Sequence, residues 1–189
     1  MEEKKEEQHP YEVVRQHIAE KAPEEVWFYS HTKGETYGAL SNFAPSPFVL
    51  GGKEWPTVEH YFQAQKFAGT EKEEQIRLLK KPMDAAREGR KRNQENAALR
   101  ADWQEIKDGV MERALYAKFT QNEPLKRLLL STGDKRLVED TFTTDDRYWG
   151  IGKEGNGKNM LGVLLMKVRD RIREEEGEQT NKTSQDSLE

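Results

Sequence analysis

Cysteine is absent from the 189 residues, so neither a disulfide nor thiolate chemistry is open to this chain. That absence suits a reducing compartment. Long apolar runs are missing too: none approaches the roughly 18 residues of a membrane span. The charged start Met1-Glu2-Glu3-Lys4-Lys5-Glu6-Glu7 leads into no apolar stretch, which speaks against a secretory signal. The expected location is the cytoplasm. No Asp/His cluster has metal-ligand spacing, so neither a metal nor a cofactor is expected.

Hydrophobic residues make up only 34% of the chain and the mean hydropathy is -1.03. Much of that polarity sits at the ends. Residues 1–25 carry eight acidic and four basic side chains, and residues 174–189 carry six acidic and one basic. Taking -4 and -5 from the formal net charge of -4 leaves +5 on residues 26–173. The expected organisation is therefore a lead over 1–25, unstructured to about Pro10, one body over 26–173 and an unstructured acidic tail over 174–189. The body is long enough for a single core and too short for two domains.

Hydrophobic spacing predicts a mainly α, α+β domain: helices packed around a small sheet or hairpin. Tyr11–Ala22 reads as a short helix ended by Pro23. Trp27–Ser30 reads as a strand, and Phe48–Leu50 with Lys53–Trp55 as a hairpin about Gly51-Gly52. Helices are expected from Thr57, as the cap, to about Ala68, over Glu71–Leu79, over Pro82–Arg90, and over Pro124–Leu130. The longest is expected to start at Asp102, with Glu105 completing a capping box. It would bury Trp103, Ile106, Val110, Ala114 and Ala117. Leu137–Glu139 reads as a strand. The last helix begins near Asn159 and buries Leu161, Leu164, Leu165, Val168 and Ile172.

Chemistry could live in four places. On the first helix Glu59 and Lys66 are two turns apart with Gln63 between them, so a carboxylate, an amide and an amine share one face. A buried lysine can shed its proton and attack carbonyl or imine carbon, and a carboxylate beside it can move protons. The plain alternative is an exposed charge pair. His60 lies off that face and reads as a structural, hydrogen-bonded histidine. The second place is Trp149-Gly150 through Gly157-Lys158-Asn159, a glycine-rich loop ahead of a helix. Exposed amides and a helix N-terminus could there cradle phosphate; a flexible connection is the alternative. The run Gly152 to Lys158 fits the phosphate-loop spacing, but Asn159 replaces the required Ser or Thr and no buried strand precedes it, which rejects a nucleotide triphosphatase. Asp146, beside Asp145, could orient a sugar hydroxyl or polarise water. Third, Arg87 and Arg90 share a helical face and suit phosphate, unless they are only a charged surface. Last, Ser41, Asn42 and Phe43 could contact a sugar or a base.

Together these segments closely resemble the NADAR (YbiA-like) family. The resemblance is carried by Leu40-Ser41-Asn42-Phe43, the long motif Trp55-Pro56-Thr57-Val58-Glu59-His60-Tyr61-Phe62-Gln63-Ala64-Gln65-Lys66-Phe67, Ala85-Ala86-Arg87 with Gly89-Arg90, Lys118-Phe119, Leu137-Val138-Glu139, Asp146-Arg147-Tyr148-Trp149-Gly150 and Gly157-Lys158-Asn159. The resemblance implies an N-glycosidase of mainly helical fold acting on a phosphorylated ribosyl substrate. Catalysis would fall to Lys66, Glu59 and Asp146, and binding to Ser41, Asn42, Phe43, Gln63, Arg87, Arg90, Trp149, Gly150, Gly157, Lys158 and Asn159. Two substrates fit: ADP-ribosylated guanine in single-stranded DNA or RNA, and the phosphorylated ribosylamino-pyrimidine intermediates of riboflavin synthesis. The basic body favours the first as the larger anion. A module that binds ADP-ribose or a nucleotide without turnover is the reading from another class.

Overall fold

The computed structural model describes residues 24–29, 35–91 and 99–186, with side chains to 178. The helix expected over Tyr11–Ala22, most of the lead and Arg92 lie outside the described residues. Helix α1 (Val58–Gln65) runs through the middle of the fold, and Val58 through Ala64 are all buried. Thr57 caps it, its hydroxyl accepting from the His60 amide at 3.2 Å. Helices α2 (Glu71–Arg77), α3 (Pro82–Arg90) and α4 (Trp103–Gln121) pack around α1. Helix α5 (Glu123–Ser131) follows, and α6 (Met160–Asp186) lies along α4. Prolines stand in the first turns of α3 and α5, where the missing amide costs nothing.

Four strands form two separate pairs. Strand β1 (Glu25–Phe28) runs parallel to β4 (Arg136–Glu139), with Val26 opposite Leu137 and Phe28 opposite Glu139. Strands β2 (Phe48–Leu50) and β3 (Lys53–Trp55) make the expected hairpin, turned by Gly51 and Gly52 at φ 64° and 74°. The first strand starts two residues earlier than its apolar run suggests and pairs across the chain with β4, not with the hairpin. α6 lies against β4.

Aromatic side chains tie the hairpin to α1. Tyr61 meets Trp55 edge-on at 5.0 Å and Phe48 at 6.3 Å. Such large buried side chains each contribute about 1.5–3 kcal/mol. They offset the cost of the polar side chains that share α1.

The structure corrects the sequence reading in two helices. Asp102 makes no cap hydrogen bond; its carboxylate takes two N–H donors from Arg100 at 2.6 and 2.9 Å, so the capping box with Glu105 does not form. The longest helix is α6, and it carries on through the stretch read as an unstructured tail. Its acidic residues find partners on the body: Tyr116 Oη donates to Glu175 at 2.7 Å, and Lys126 pairs with Glu176 at 2.8 Å. An amphipathic count sees only charge there, whereas the fold supplies the phenol and the ammonium that meet it.

Candidate active site

Helix α1 places Glu59 and Gln63 one turn apart. Glu59 is 4% exposed, yet both its oxygens have donors. Asn42 Nδ2 donates to Oε2 at 2.6 Å and Gln63 Nε2 to Oε1 at 2.7 Å. The Glu59 amide donates to the Asn42 carbonyl at 3.0 Å, so the 41–43 loop and α1 hold each other twice. Burial drives the Glu59 carboxyl up to about 7, helped by the negative charge of Asp146. The Gln63 hydrogen bond and the positive charges of Lys66 and Arg90 pull the other way. Both cations and Asp146 are therefore close enough to act on this carboxylate, which is poised near neutrality for proton transfer.

Lys66 caps the end of α1. Its Nζ donates to the Gly89 carbonyl at 3.2 Å and sits 5.7 Å from the centres of both the Phe62 and Trp103 rings. Gly89 is required here: a Cβ would fall 1.9 Å from Gln63 Oε1. That amide oxygen is buried and has no hydrogen-bond partner among the described residues. The Phe62 ring also takes Trp149 edge-on at 5.1 Å, which docks the 145–159 loop on α1.

Asp146 is fixed at the turn of that loop. Its Oδ1 accepts from the Tyr148 and Trp149 amides, both at 2.9 Å, and Thr141 Oγ1 donates to its carbonyl at 2.6 Å. Asp145 faces elsewhere: it takes Arg147 Nε and the Lys153 amide as a surface brace. Gly150 follows Trp149 because a Cβ there would meet Thr141 at 2.4 Å and the Glu139 carbonyl at 2.8 Å.

The residues named from sequence divide. Glu59, Gln63, Lys66, Asn42, Asp146 and Trp149 come together, with Arg90 within electrostatic reach. Ser41 is buried and its hydroxyl accepts from the Phe43 amide, shaping the loop that presents Asn42; Phe43 is half-buried. Arg87 is exposed and ion-paired with Asp84 on its own helix. Lys158 is exposed, its Nζ 5.1 Å from the Tyr148 ring, which Lys107 also overhangs at 3.7 Å.

The phosphate cradle expected of the glycine-rich loop is not free to act. The amides of Gly157, Lys158, Asn159, Met160 and Leu161 donate to the carbonyls of Ile151, Arg147, Gly150, Tyr148 and Trp149. They knit the loop to the start of α6, so these five amides serve the fold. Asn159 is likewise spent. Held at φ 53°, it accepts from the Glu139 amide at 2.9 Å and donates to the Leu137 carbonyl at 2.8 Å, bolting α6 to β4. His60 is structural, as read: Nδ1 meets the Thr57 hydroxyl at 2.8 Å and Nε2 the Leu79 carbonyl at 3.0 Å. Burial pushes its pKa down, which favours the neutral ring.

Two residues escaped the sequence reading as site residues. Lys118 on α4 is 0% exposed and donates to the carbonyls of Ala39 and Ser41 at 2.6 and 2.9 Å. Burial alone lowers its amine to about 7. Its signal was a lysine in the apolar run Leu115–Phe119. Glu139 ends β4, where its Oε2 is buried without a partner among the described residues. Burial and the charges of Asp146, Glu59 and Asp140 raise it to about 8. Its signal was a carboxylate at the end of an apolar strand. Among the described residues no three His, Asp or Glu side chains converge to hold an ion, and no helix is long and apolar enough to cross a membrane.

A buried carboxylate near neutrality, a second carboxylate on a fixed turn and an amine beside two aromatic rings can together supply acid–base and nucleophilic chemistry. The chain belongs to the NADAR domain family, whose model matches residues 27–173. It is 49% identical over 145 residues to N-glycosidase YbiA of Escherichia coli (strain K12), covering 77% of this chain and 86% of that protein. The NMR structure of E. coli YbiA matches with a TM-score of 0.70 at 47% identity, covering 80% of this chain and 86% of the other. A chloroplastic riboflavin biosynthesis protein of Zea mays, PYRR, is 41% identical over 150 residues, which are 73% of this chain and 24% of that protein.

Proposed function

We propose that the protein hydrolyses the bond between ribose C1 and nitrogen in a phosphorylated N-riboside, and that the phosphorylated ribosylamino-pyrimidines are the leading substrates. The class is that of its relatives: the protein is an N-glycosidase, a glycosyl hydrolase. The observation that carries the reading is the Glu59–Lys66–Asp146 set. A ribosylamine opens to an iminium at C1, and the Lys66 amine adds there. The substrate amine leaves with a proton, and water releases the sugar from the resulting Schiff base. Glu59 and Asp146 carry protons between ring oxygen, amine and water. In the direct alternative, water attacks an oxocarbenium-like carbon that Glu59 stabilises.

Sequence alone put ADP-ribosylated guanine first. Two observations favour the other order. Relatives from maize and from Vibrio vulnificus (strain YJ016) bear riboflavin biosynthesis names. Five amides of the loop, those of residues 157–161, are spent within the fold. The +5 charge of residues 26–173 still favours the nucleic-acid substrate, which stays as the second reading. A side-by-side assay decides between them. A tenfold or greater advantage in kcat/KM for the pyrimidine ribosylamine phosphate over ADP-ribosyl guanosine, free or in single-stranded DNA, is expected; the opposite ratio restores the nucleic-acid substrate. Tight binding with no amine or base release from any substrate would mark a binding module. Borohydride should trap a sugar adduct at Lys66, and its absence selects the direct route.

A further inference from the structure

Glu59, Asp146 and Glu139 lie within electrostatic reach of one another, and their partners differ. Glu59 has an N–H donor on each oxygen. Asp146 Oδ1 takes two backbone amides. Donors of that kind serve an acceptor oxygen. Glu139 is the odd one. Its Oε2 is buried and meets no donor among the described residues, while Asp146 and Glu59 both press on it with like charge. An anion there would hold its Oε2 out of water and unpaired, and would be repelled by its neighbours. A carboxylic acid would carry an O–H ready to be donated.

The backbone at Glu139 is also fixed. Asn159 holds its amide, the Ile151 amide holds its carbonyl at 3.2 Å, and Gly150 lies against that carbonyl without a Cβ. Asp146 is held close along the same loop by Thr141 and by the Tyr148 and Trp149 amides, so the two backbones keep one relative placement.

We propose that Glu139 is the general acid of this site, delivering its proton to the leaving nitrogen as the C1–N bond breaks. This rests on the N-glycosidase reading and moves delivery to the leaving nitrogen from Glu59 and Asp146 to Glu139, leaving those two the ring oxygen and water. The electron pair of the C1–N bond goes to nitrogen, which takes the Glu139 proton and departs as the neutral amine. C1 gains a bond to Lys66 Nζ or to water, and the proton that this nucleophile sheds restores Glu139. One water is consumed overall. The pKa near 8 agrees with an acid still protonated at neutral pH.

The test uses the full-length protein and N-ribosides whose leaving amines span a range of basicity, up to a nitro-activated aromatic amine. Glu139→Gln is expected to lose about 10²–10⁴-fold in kcat/KM on the basic amines, and to stay within tenfold of wild type on the activated one. An equal loss on both, or near-wild-type rates on the basic amines, overturns the assignment. The wild type supplies a measurement that needs no variant: with an acid in place its kcat/KM should depend only weakly on amine basicity, and a steep dependence would sink the idea. A wild type that releases no amine from any riboside removes the N-glycosidase reading itself, a result distinct from an equal loss in the variant.

Discussion

Glu59 and His60 are neighbours on one helix, and both are out of solvent. What separates them is what their surroundings leave over. His60 has one partner for each ring nitrogen and a pKa pushed away from the charged form, so it ties α1 to its own cap and to the end of α2. The face of Glu59, Gln63 and Lys66 is held but not saturated. Gln63 Oε1 has no partner among the described residues, and Glu59 sits at about 7 between opposing charges. Burial alone does not mark chemistry. Burial with unspent hydrogen-bonding capacity and competing charges does.

The sharpest break of this comparison is by substitution on either face. Lys66→Ala and Glu59→Gln should each lower kcat about 10³-fold or more, with circular dichroism unchanged. His60→Gln should cost about 1–3 kcal/mol of stability, through an unmade buried hydrogen bond, while kcat changes less than threefold. A His60 variant that melts like wild type but loses turnover would merge the two faces.

Next in size is Lys118, whose amine clamps the loop that presents Asn42 to Glu59. Lys118→Met removes the ammonium that holds the Ala39 and Ser41 carbonyls together. A fall in kcat of about 10–100-fold is expected, with KM nearly constant and a melting temperature several degrees lower. Loss of stability with full kcat would make Lys118 a core residue and nothing more.

How much of this was legible in the sequence follows the range of each interaction. Thr57 as cap, the Gly51-Gly52 turn, the prolines of α3 and α5 and the apolar stripe of α6 are local, and periodicity finds them. Glu59 and Lys66 lie on one helix and were found by spacing. Lys118 and Glu139 were not, because their meaning depends on carbonyls or charges far along the chain: 77 residues separate Lys118 from Ser41. Asn159 and the glycine-rich loop misled for the same reason. A row of glycines ahead of a helix says that amides are available, and only the fold shows that carbonyls 147–151 have already taken them.

Proton linkage tests the buried carboxyls without an assay. Glu59 and Glu139 have folded pKa values of about 7 and 8, above the ordinary 4.5. Between those limits the native state binds more protons than the unfolded one. Their contribution to stability is whole below about pH 4.5 and is lost as pH rises through 7 and 8, by up to about 1.4 kcal/mol per pH unit for each group. His60 and Lys118 have lowered values and act in the opposite sense, over lower and higher pH respectively. The difference between wild type and Glu139→Gln isolates one group. The variant should gain stability relative to wild type as pH is raised from 5 to 8, read by thermal melts. A constant difference would mean that Glu139 keeps its ordinary carboxyl pKa.

The smallest expected effect is on α3, where two arginines one turn apart repeat the contrast between spent and unspent groups. Arg87 is ion-paired with Asp84 and exposed. Arg90 is also at the surface, yet its charge reaches Glu59. The sequence reading treated them as one phosphate site. The structure separates them, since an arginine already paired on its own helix has little to offer a ligand, and exposed pairs contribute only about 0–1 kcal/mol. Arg90→Ala should raise KM about 3–10-fold, as expected for losing a solvent-screened contact made equally in ground and transition states. It should also shift the acid limb of the rate profile upward, because a positive charge that favours the ionised Glu59 has gone. Arg87→Ala should change KM less than twofold. Equal KM effects in the two variants would restore the paired phosphate site, and no effect in either would leave α3 outside the substrate's reach.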